Sequence, residues 1–147
     1  MSEILAENRR GRFDYDIQES LEAGIELLGH EVKSVKAGRM QIAGSYVIIR
    51  GGEAWLVNCT IPPYQASNTP VDYEPSRTRR VLLRKEEIRR LEGALEQKSF
   101  SLLPLKAYVK KNLVKLELGL GRARKKGDKR EVIKKRDVAR DIARESE

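Results

Sequence analysis

Apolar and polar residues alternate through the first part of the chain. The alternation runs from Phe13 to Ile17 and resumes from Leu21 to Leu27. A period of two residues predicts strands with one buried and one solvated face. Val32 and Val35 then lie three residues apart and are followed by Gly38. This spacing predicts a short helix that ends in a glycine cap.

Two hairpins are predicted further along the chain. The runs SYVIIR and EAWLVN are rich in strand-forming residues and flank Gly51-Gly52, which is a strong signal for a tight turn. The second hairpin has alternating strands around Leu105–Val109 and Val114–Leu120. Its turn is expected at Lys110-Lys111-Asn112.

A long loop and a helix are predicted between these hairpins. The segment from Asn58 to Arg80 holds four of the five prolines, and a loop of this length in a compact domain is usually functional or mobile. From about Arg84 to Gln97, apolar residues recur at helical spacing. These elements together predict a mainly β domain with short helices over residues 1–121. The expected architecture is a small OB-like Greek-key β-barrel.

The composition changes after residue 121. Residues 122–147 contain 11 basic and 6 acidic residues and no aromatic residue. Such a segment buries too little apolar surface to offset the entropy lost on ordering. We therefore expect a basic C-terminal tail that is disordered in the free protein. Val132, Ala139 and Ile142 form a weak apolar stripe, which predicts a helix once a partner supplies a surface.

The net charge favours a polyanionic partner. Lys and Arg number 30 against 22 Asp and Glu, which gives +8 at pH 7. This excess attracts nucleic acid, or secondarily an anionic membrane surface, and binding is favoured by counterion release. Aromatic residues make up only 5% and are scattered, which favours recognition of folded RNA through shape and phosphates over a base-stacking platform. The basic residues expected to contact RNA are Arg9, Arg10, Lys33, Arg77, Arg79 and Arg80.

Catalytic and metal chemistry is poorly represented in this sequence. The only histidine, His30, has no evident orienting partner, and the only cysteine, Cys59, is expected to be a small buried hydrophobe. Together they are too few for a zinc site. Asp14 and Asp16 would be the Mg²⁺ ligands of a metal-dependent nuclease, although a solvated strand face is the simpler interpretation. We therefore expect no enzyme activity, no catalytic residue, no metal and no cofactor.

The protein is expected to be cytoplasmic. No stretch approaches the roughly 20 consecutive apolar residues of a membrane span, and Met1 to Gly11 lacks the apolar core of a signal peptide. A single cysteine also excludes a disulfide framework within the chain.

Six segments in order give a more specific prediction. They are EAGIELLGHEVKSVKAGR, SYVIIRGGEAWLVN, IPPY, SRTRRVLLRKEEIRRL, LLPLKAYVKKNLVKLELGLGRARKK and DKREVIKKRD. Through them the chain resembles the SsrA-binding protein family (small protein B) from about Asn8 to Asp137. The resemblance implies a barrel that binds the tRNA-like domain of transfer-messenger RNA and delivers it to stalled bacterial ribosomes for trans-translation. The family's RNA-contact positions fall here on Glu22, Leu82 and Lys115.

The resemblance also implies a ribosomal role for the tail. The tail would enter the empty mRNA channel next to the decoding site and form a helix there. The family commonly has an aromatic or imidazole side chain just before its DKR motif, where this chain has Gly127, so any stacking contact must come from elsewhere. The residues expected to contact the ribosome are Lys125, Lys126, Asp128, Lys129, Arg130, Lys134, Lys135 and Arg136.

One alternative remains open among RNA-binding functions. A general RNA chaperone or a ribosome-associated OB-fold protein would have the same charge and barrel but no preference for one RNA. For either function we expect a monomer.

Overall fold

Strands form most of the secondary structure in the computed structural model, which describes residues 3–125. Three α-helices accompany the strands within this part of the chain: α1 (Arg9–Asp14), α2 (Gly29–Lys36) and α3 (Lys85–Leu95). The strands are β1 (Glu3–Glu7), β2 (Tyr15–Ile25), β3 (Tyr46–Arg50), β4 (Glu53–Val57), β5 (Arg79–Leu82), β6 (Phe100–Lys110) and β7 (Leu113–Ala123).

Antiparallel pairing closes the sheet into a barrel. The strands follow one another in the order β2, β7, β6, β3, β4, β5, and β5 pairs back to β2. Strand β6 pairs with β7 along its length, while its other edge is shared between β3 and β1. The prediction of a mainly β barrel with short helices is therefore confirmed.

The interior of the barrel is filled by every second residue of the strands. These side chains are at most 9% exposed, and Leu91 of α3 is completely buried with them. Because the period is two, the residues between them face outward and are free to carry polar groups. The strand residues of this core include Ala23, Ile25, Val47, Ala54, Leu56, Val81, Leu102, Ala107, Leu116 and Leu118.

The helices and hairpins predicted from periodicity are largely confirmed. Helix α2 ends before Gly38, whose φ of 79° is the left-handed conformation expected after a helix. The β3–β4 hairpin turns at Gly51-Gly52, with φ values of 62° and 75°. The second hairpin turns at Lys111-Asn112 alone, because Lys110 still belongs to β6.

The N-terminal region differs from the prediction. Residues Glu3–Glu7 form an additional strand, and Phe13 lies in helix α1 instead of beginning a strand. Asn8 explains the helix, since its Oδ1 accepts a hydrogen bond from the Gly11 amide at 2.9 Å. The Asn8 amide group also donates to the Pro104 carbonyl at 2.9 Å, so the helix start is fixed by a contact with a distant strand.

The barrel ends later than predicted. Strand β7 runs to Ala123, and the Arg124 amide donates to the Asp14 carbonyl at 2.8 Å. The boundary expected after residue 121 therefore falls inside a strand. Within residues 3–125, no helix is both long and apolar enough to cross a membrane.

Candidate RNA interface

One row of residues crosses four strands on the outer face of the barrel. Leu82 on β5 is opposite Gly24 on β2, Gly24 is opposite Lys115 on β7, and Lys115 is opposite Tyr108 on β6. Directly opposed residues of antiparallel strands point to the same side. Glu22 lies two residues before Gly24 and so shares this side. We call Glu22, Leu82, Tyr108 and Lys115 the outer-face site.

The three positions implied by the resemblance are thus brought together by the sheet. Leu82 is 47% exposed although it is a large apolar residue. A Cβ atom at Gly24 would lie 3.2 Å from the Cβ of Leu82, so the absence of a side chain at Gly24 leaves room beside it. Lys115 and Glu22 both face outward, as the alternation predicts. The site therefore presents a cation, an anion and an apolar group on one surface.

The carboxylate of Glu22 is held by two residues of β6. The Tyr108 hydroxyl donates a hydrogen bond to Glu22 Oε2, and Lys110 Nζ lies 3.3 Å from the same oxygen. The hydrogen bond from Tyr108, with further contributions from Lys110 and Lys115, lowers the pKa of Glu22 against the opposing effect of burial. Burial, together with the neighbouring Glu22, raises the pKa of Tyr108. At neutral pH a neutral hydroxyl therefore binds an anionic carboxylate.

An open groove runs beside this carboxylate. Its walls carry three lysines, and Lys106 Nζ lies 5.7 Å from the centre of the Tyr108 ring. Glu117 in the groove forms salt bridges through its Oε2 atom, with Arg12 Nη2 at 3.3 Å and Lys106 Nζ at 3.6 Å. Lysines on the wall can bind phosphates, while Glu22 can accept hydrogen bonds from base amino groups or ribose hydroxyls. The groove is lined by Ser20, Leu21, Glu22, Lys106, Tyr108, Lys110, Lys111 and Glu117.

Arg79 corrects one of the sequence predictions. Its side chain is 0% exposed, so the expectation that it contacts RNA is wrong for the folded barrel. Arg79 Nη2 donates to Glu31 Oε2 at 2.6 Å, and Nη1 donates to the Cys59 carbonyl at 2.9 Å. Arg77 also binds Glu31, through Nη2 at 2.5 Å and Nε at 3.2 Å, and its side chain is 30% exposed.

Glu31 is the centre of this buried network. Burial alone would raise its pKa, but hydrogen bonds from Arg77, the Leu28 amide and Arg79 outweigh burial and lower the pKa to about 2. The Tyr73 hydroxyl lies 2.9 Å from Glu31 Oε2, and the Tyr73 ring meets His30 edge to face. The network joins α2 to the long loop and to the start of β5, so these arginines and Tyr73 stabilise the fold.

The remaining basic residues of the prediction are exposed but scattered. Arg80 lies two residues before Leu82 on β5, between Glu53 at 3.0 Å and Glu26 at 3.7 Å. The other three, Arg9, Arg10 and Lys33, are exposed and do not line the Glu22 groove.

The carboxylates considered for a metal site are separated by the fold. Asp14 belongs to α1 and binds Arg10 at 3.0 Å, whereas Asp16 lies on β2 and accepts a hydrogen bond from Gln18 at 2.9 Å. The prediction that they share a strand face is therefore wrong. Among residues 3–125, no three His, Cys, Asp or Glu side chains lie close enough together to hold a metal ion.

Tyr108 is a member of the site that the sequence prediction omitted. Ala107 faces the core, and the alternation on either side of it turns Tyr108 outward together with Lys106 and Lys110. An aromatic residue flanked by outward lysines was the available signal. Of the residues predicted to contact the ribosome, only Lys125 is described, and it is exposed. The other tail predictions lie outside the described residues: Lys126, Asp128, Lys129, Arg130, Lys134, Lys135 and Arg136.

The chain is similar to known proteins in both sequence and structure. A family model described as SmpB protein matches residues 5–147. An SsrA-binding protein from Nostoc punctiforme is 48% identical over 141 residues, which are 96% of this chain and 91% of that protein. One from Synechococcus elongatus is also 48% identical over 141 residues, covering 96% and 92%. A solved structure described as "tmRNA-SmpB: a journey to the center of the bacterial ribosome" matches with a TM-score of 0.68 and 45% identity, over 82% of this chain and 85% of that chain.

Proposed function

The chain belongs to the SmpB family of SsrA-binding proteins, and from this premise we propose that it binds transfer-messenger RNA and delivers it to stalled bacterial ribosomes. The relatives bear the name of this RNA, and the similar solved structure concerns the same RNA, SmpB and the bacterial ribosome. The protein is an RNA-binding factor of trans-translation, and its partners are the transfer-messenger RNA and the ribosome.

The observation that supports this function best is the composition of the outer-face site. Register alone brings Glu22, Leu82 and Lys115 onto one face, although they are up to 93 positions apart in the chain. We infer that this face receives the tRNA-like domain of the RNA. Lys115 and the groove lysines bind phosphates, Leu82 packs against a ribose or base, and Glu22 accepts hydrogen bonds from base or ribose donors.

The C-terminal tail completes the proposal. Residues 122–147 carry 11 basic residues, and we assign to those beyond the barrel the contacts with the mRNA channel and the decoding site. The protein works as a monomer in the cytoplasm, where stalled ribosomes are found. It acts by binding and positioning RNA, so we assign it no catalytic residue and no cofactor.

A competition experiment tests this function. The full-length protein is bound to the labelled tRNA-like domain of transfer-messenger RNA and challenged with that domain unlabelled or with ordinary tRNA. We expect the specific domain to compete at concentrations at least tenfold lower than tRNA. Equal competition by both RNAs would favour a general RNA chaperone and contradict the proposed function. Cleavage of the RNA in Mg²⁺ would instead indicate a nuclease.

A further inference from the structure

Tyr108 is placed differently from an ordinary surface tyrosine. It lies on the outer side of β6 yet is only 8% exposed. Its neighbours in the sheet are Ile4 on β1 and Lys115 on β7, and Lys106 extends over its ring. The ring is therefore fixed on three sides. Its hydroxyl is the polar end of a rigid group, and it points at Glu22.

The Glu22 side chain, in contrast, is held in a single orientation only when another side chain binds its carboxylate. Its side chain is 40% exposed, and an exposed glutamate loses rotamer entropy whenever a ligand requires a single conformation. Lys110 lies 3.3 Å from Glu22 Oε2 and 3.5 Å from Oε1. An exposed lysine is also a ligand for RNA phosphates, so it is a poor permanent anchor. The Tyr108 hydroxyl carries no charge and stays in place when phosphates attract the lysines.

We propose that Tyr108 is a positioning residue for RNA recognition, which holds the Glu22 carboxylate in the orientation that the RNA meets. The hydroxyl occupies one lone pair of Oε2 and leaves Glu22 acceptor capacity directed at the groove. Since the hydroxyl is neutral, it orients the anion without neutralising it. This inference rests on the proposed function, because it assigns Tyr108 a role in binding the same RNA at the same site.

A double-mutant cycle tests the proposal in the full-length protein. Tyr108→Phe keeps the ring and removes only the hydroxyl, and Glu22→Gln removes the charge that the hydroxyl orients. Each variant should bind the tRNA-like domain about 5- to 20-fold more weakly than wild type. The double variant should be no more than about twofold weaker than the weaker single variant. Wild-type affinity in Tyr108→Phe, or multiplication of the two losses in the double variant, would overturn the proposal.

Tyr73→Phe is the matched control. Tyr73 also places its hydroxyl against a glutamate, but that glutamate is the buried Glu31 of the structural network. Tyr73→Phe should lower the melting temperature and leave the RNA affinity of the folded protein unchanged. Tyr108→Phe should show the opposite pattern. A loss of RNA affinity in both variants in proportion to their loss of stability would reduce Tyr108 to a structural role.

The pH dependence of RNA binding is a second test, because its acid midpoint does not change when a variant merely loses stability. Because Tyr108 lowers the pKa of Glu22, acidification should weaken RNA binding at a higher pH in Tyr108→Phe than in wild type. The same midpoint in both proteins would contradict the proposal. The charged or titratable groups around Glu22 are Lys106, Tyr108 and Lys110 on β6, Lys111 in the turn, and Lys115 and Glu117 on β7.

A second substitution covers the case in which Tyr108→Phe does not stay folded. If Tyr108→Phe melts below the assay temperature, fluorotyrosine at position 108 replaces it, since this residue keeps the hydroxyl but is a stronger donor. The acid midpoint should then move below that of wild type, and an unmoved midpoint would overturn the proposal. Failure of the proposed function is recognised separately, because wild type would then show no preference for the tRNA-like domain over tRNA.

Discussion

Two glutamates of this chain bind strong hydrogen-bond donors, yet burial gives them opposite roles. Glu31 is completely buried and binds two arginines, so removing it would leave buried charges without a partner. Glu22 is 40% exposed beside a groove, so its remaining acceptor capacity is open to a ligand. The same residue type therefore stabilises the fold at one position, and at the other we propose that it accepts hydrogen bonds from RNA.

The contribution of Lys115 to RNA affinity can be tested with a single substitution. Lys115→Ala should weaken binding of the tRNA-like domain by about 1–2 kcal/mol, because a charge-assisted contact with phosphate is lost. Its melting temperature should stay close to that of wild type, since Lys115 faces outward. The measurement is a filter-binding titration together with a thermal melt. Collapse of the Lys115→Ala fold would contradict the outward assignment.

The neighbouring Leu116 is the control for Lys115. It is completely buried in the barrel, and Leu116→Ala should lower the free energy of unfolding by about 2–5 kcal/mol. The folded fraction of that variant should still bind RNA with nearly normal affinity.

The ionisation of Glu31 should make the free energy of unfolding depend on pH in the acid range. Its pKa is about 2 in the folded protein against an ordinary value of 4.5, so its contribution to stability is complete above about pH 4.5. That contribution is lost as the pH falls from about 4.5 towards 2, and it amounts to about 3 kcal/mol. Urea unfolding of wild type should show this loss, and Glu31→Gln should be less stable at pH 7 with a flatter acid dependence. An unchanged acid dependence in Glu31→Gln would exclude Glu31 as its source.

At the scale of elements, helix α1 depends on one buried asparagine. Asn8 is 2% exposed and binds both the Gly11 amide and the Pro104 carbonyl. Asn8→Ala removes the helix cap and leaves buried polar groups unpaired, so the free energy of unfolding should fall by roughly 2–3 kcal/mol. Urea denaturation measures this change. The exposed Asn68→Ala is the control, with an expected change below about 0.5 kcal/mol.

The same asparagine shows where sequence reasoning stops. Periodicity predicted the two hairpins, α2 and α3 because their signals lie within about a dozen consecutive residues. Helix α1 was missed because its cap is fixed by Pro104, which is 96 positions away. Strand β1 was missed for a related reason, since it is a short edge strand that pairs with the distant strand β6.

The site was predictable to a similar extent. The alternation correctly predicted that Glu22 and Lys115 face outward, and Leu82, which only the family motifs suggested, is exposed on the same face. Arg79 was misassigned because it stands between Arg77 and Arg80 in a basic cluster of the sequence. Its hydrogen bond to the buried Glu31 becomes visible only in the folded structure. Composition counts charges but does not show which of them are buried with a partner.

At the scale of the whole molecule, the charge is unevenly used. Several arginines of the barrel are already bound to carboxylates, among them Arg77, Arg79, Arg80 and Arg90. Much of the net charge of +8 therefore comes from residues without such a partner on the barrel and from the basic C-terminal segment. RNA affinity on the barrel should depend on a few positioned lysines, and we propose that the charge of the C-terminal segment serves binding to the ribosome.

Truncation at two points tests the division between barrel and tail. A chain ending at Lys125 keeps every pair of β7, including Tyr15↔Ala123 and Phe100↔Arg122. It should therefore melt like wild type and bind the tRNA-like domain within about twofold of wild-type affinity. A chain ending at Leu120 loses those pairs and should melt at a lower temperature. Both should fail to tag peptides on stalled ribosomes in a reconstituted translation assay, because every residue beyond Lys125 that is assigned to the ribosome is missing. Full tagging by the chain ending at Lys125 would show that the barrel alone performs rescue.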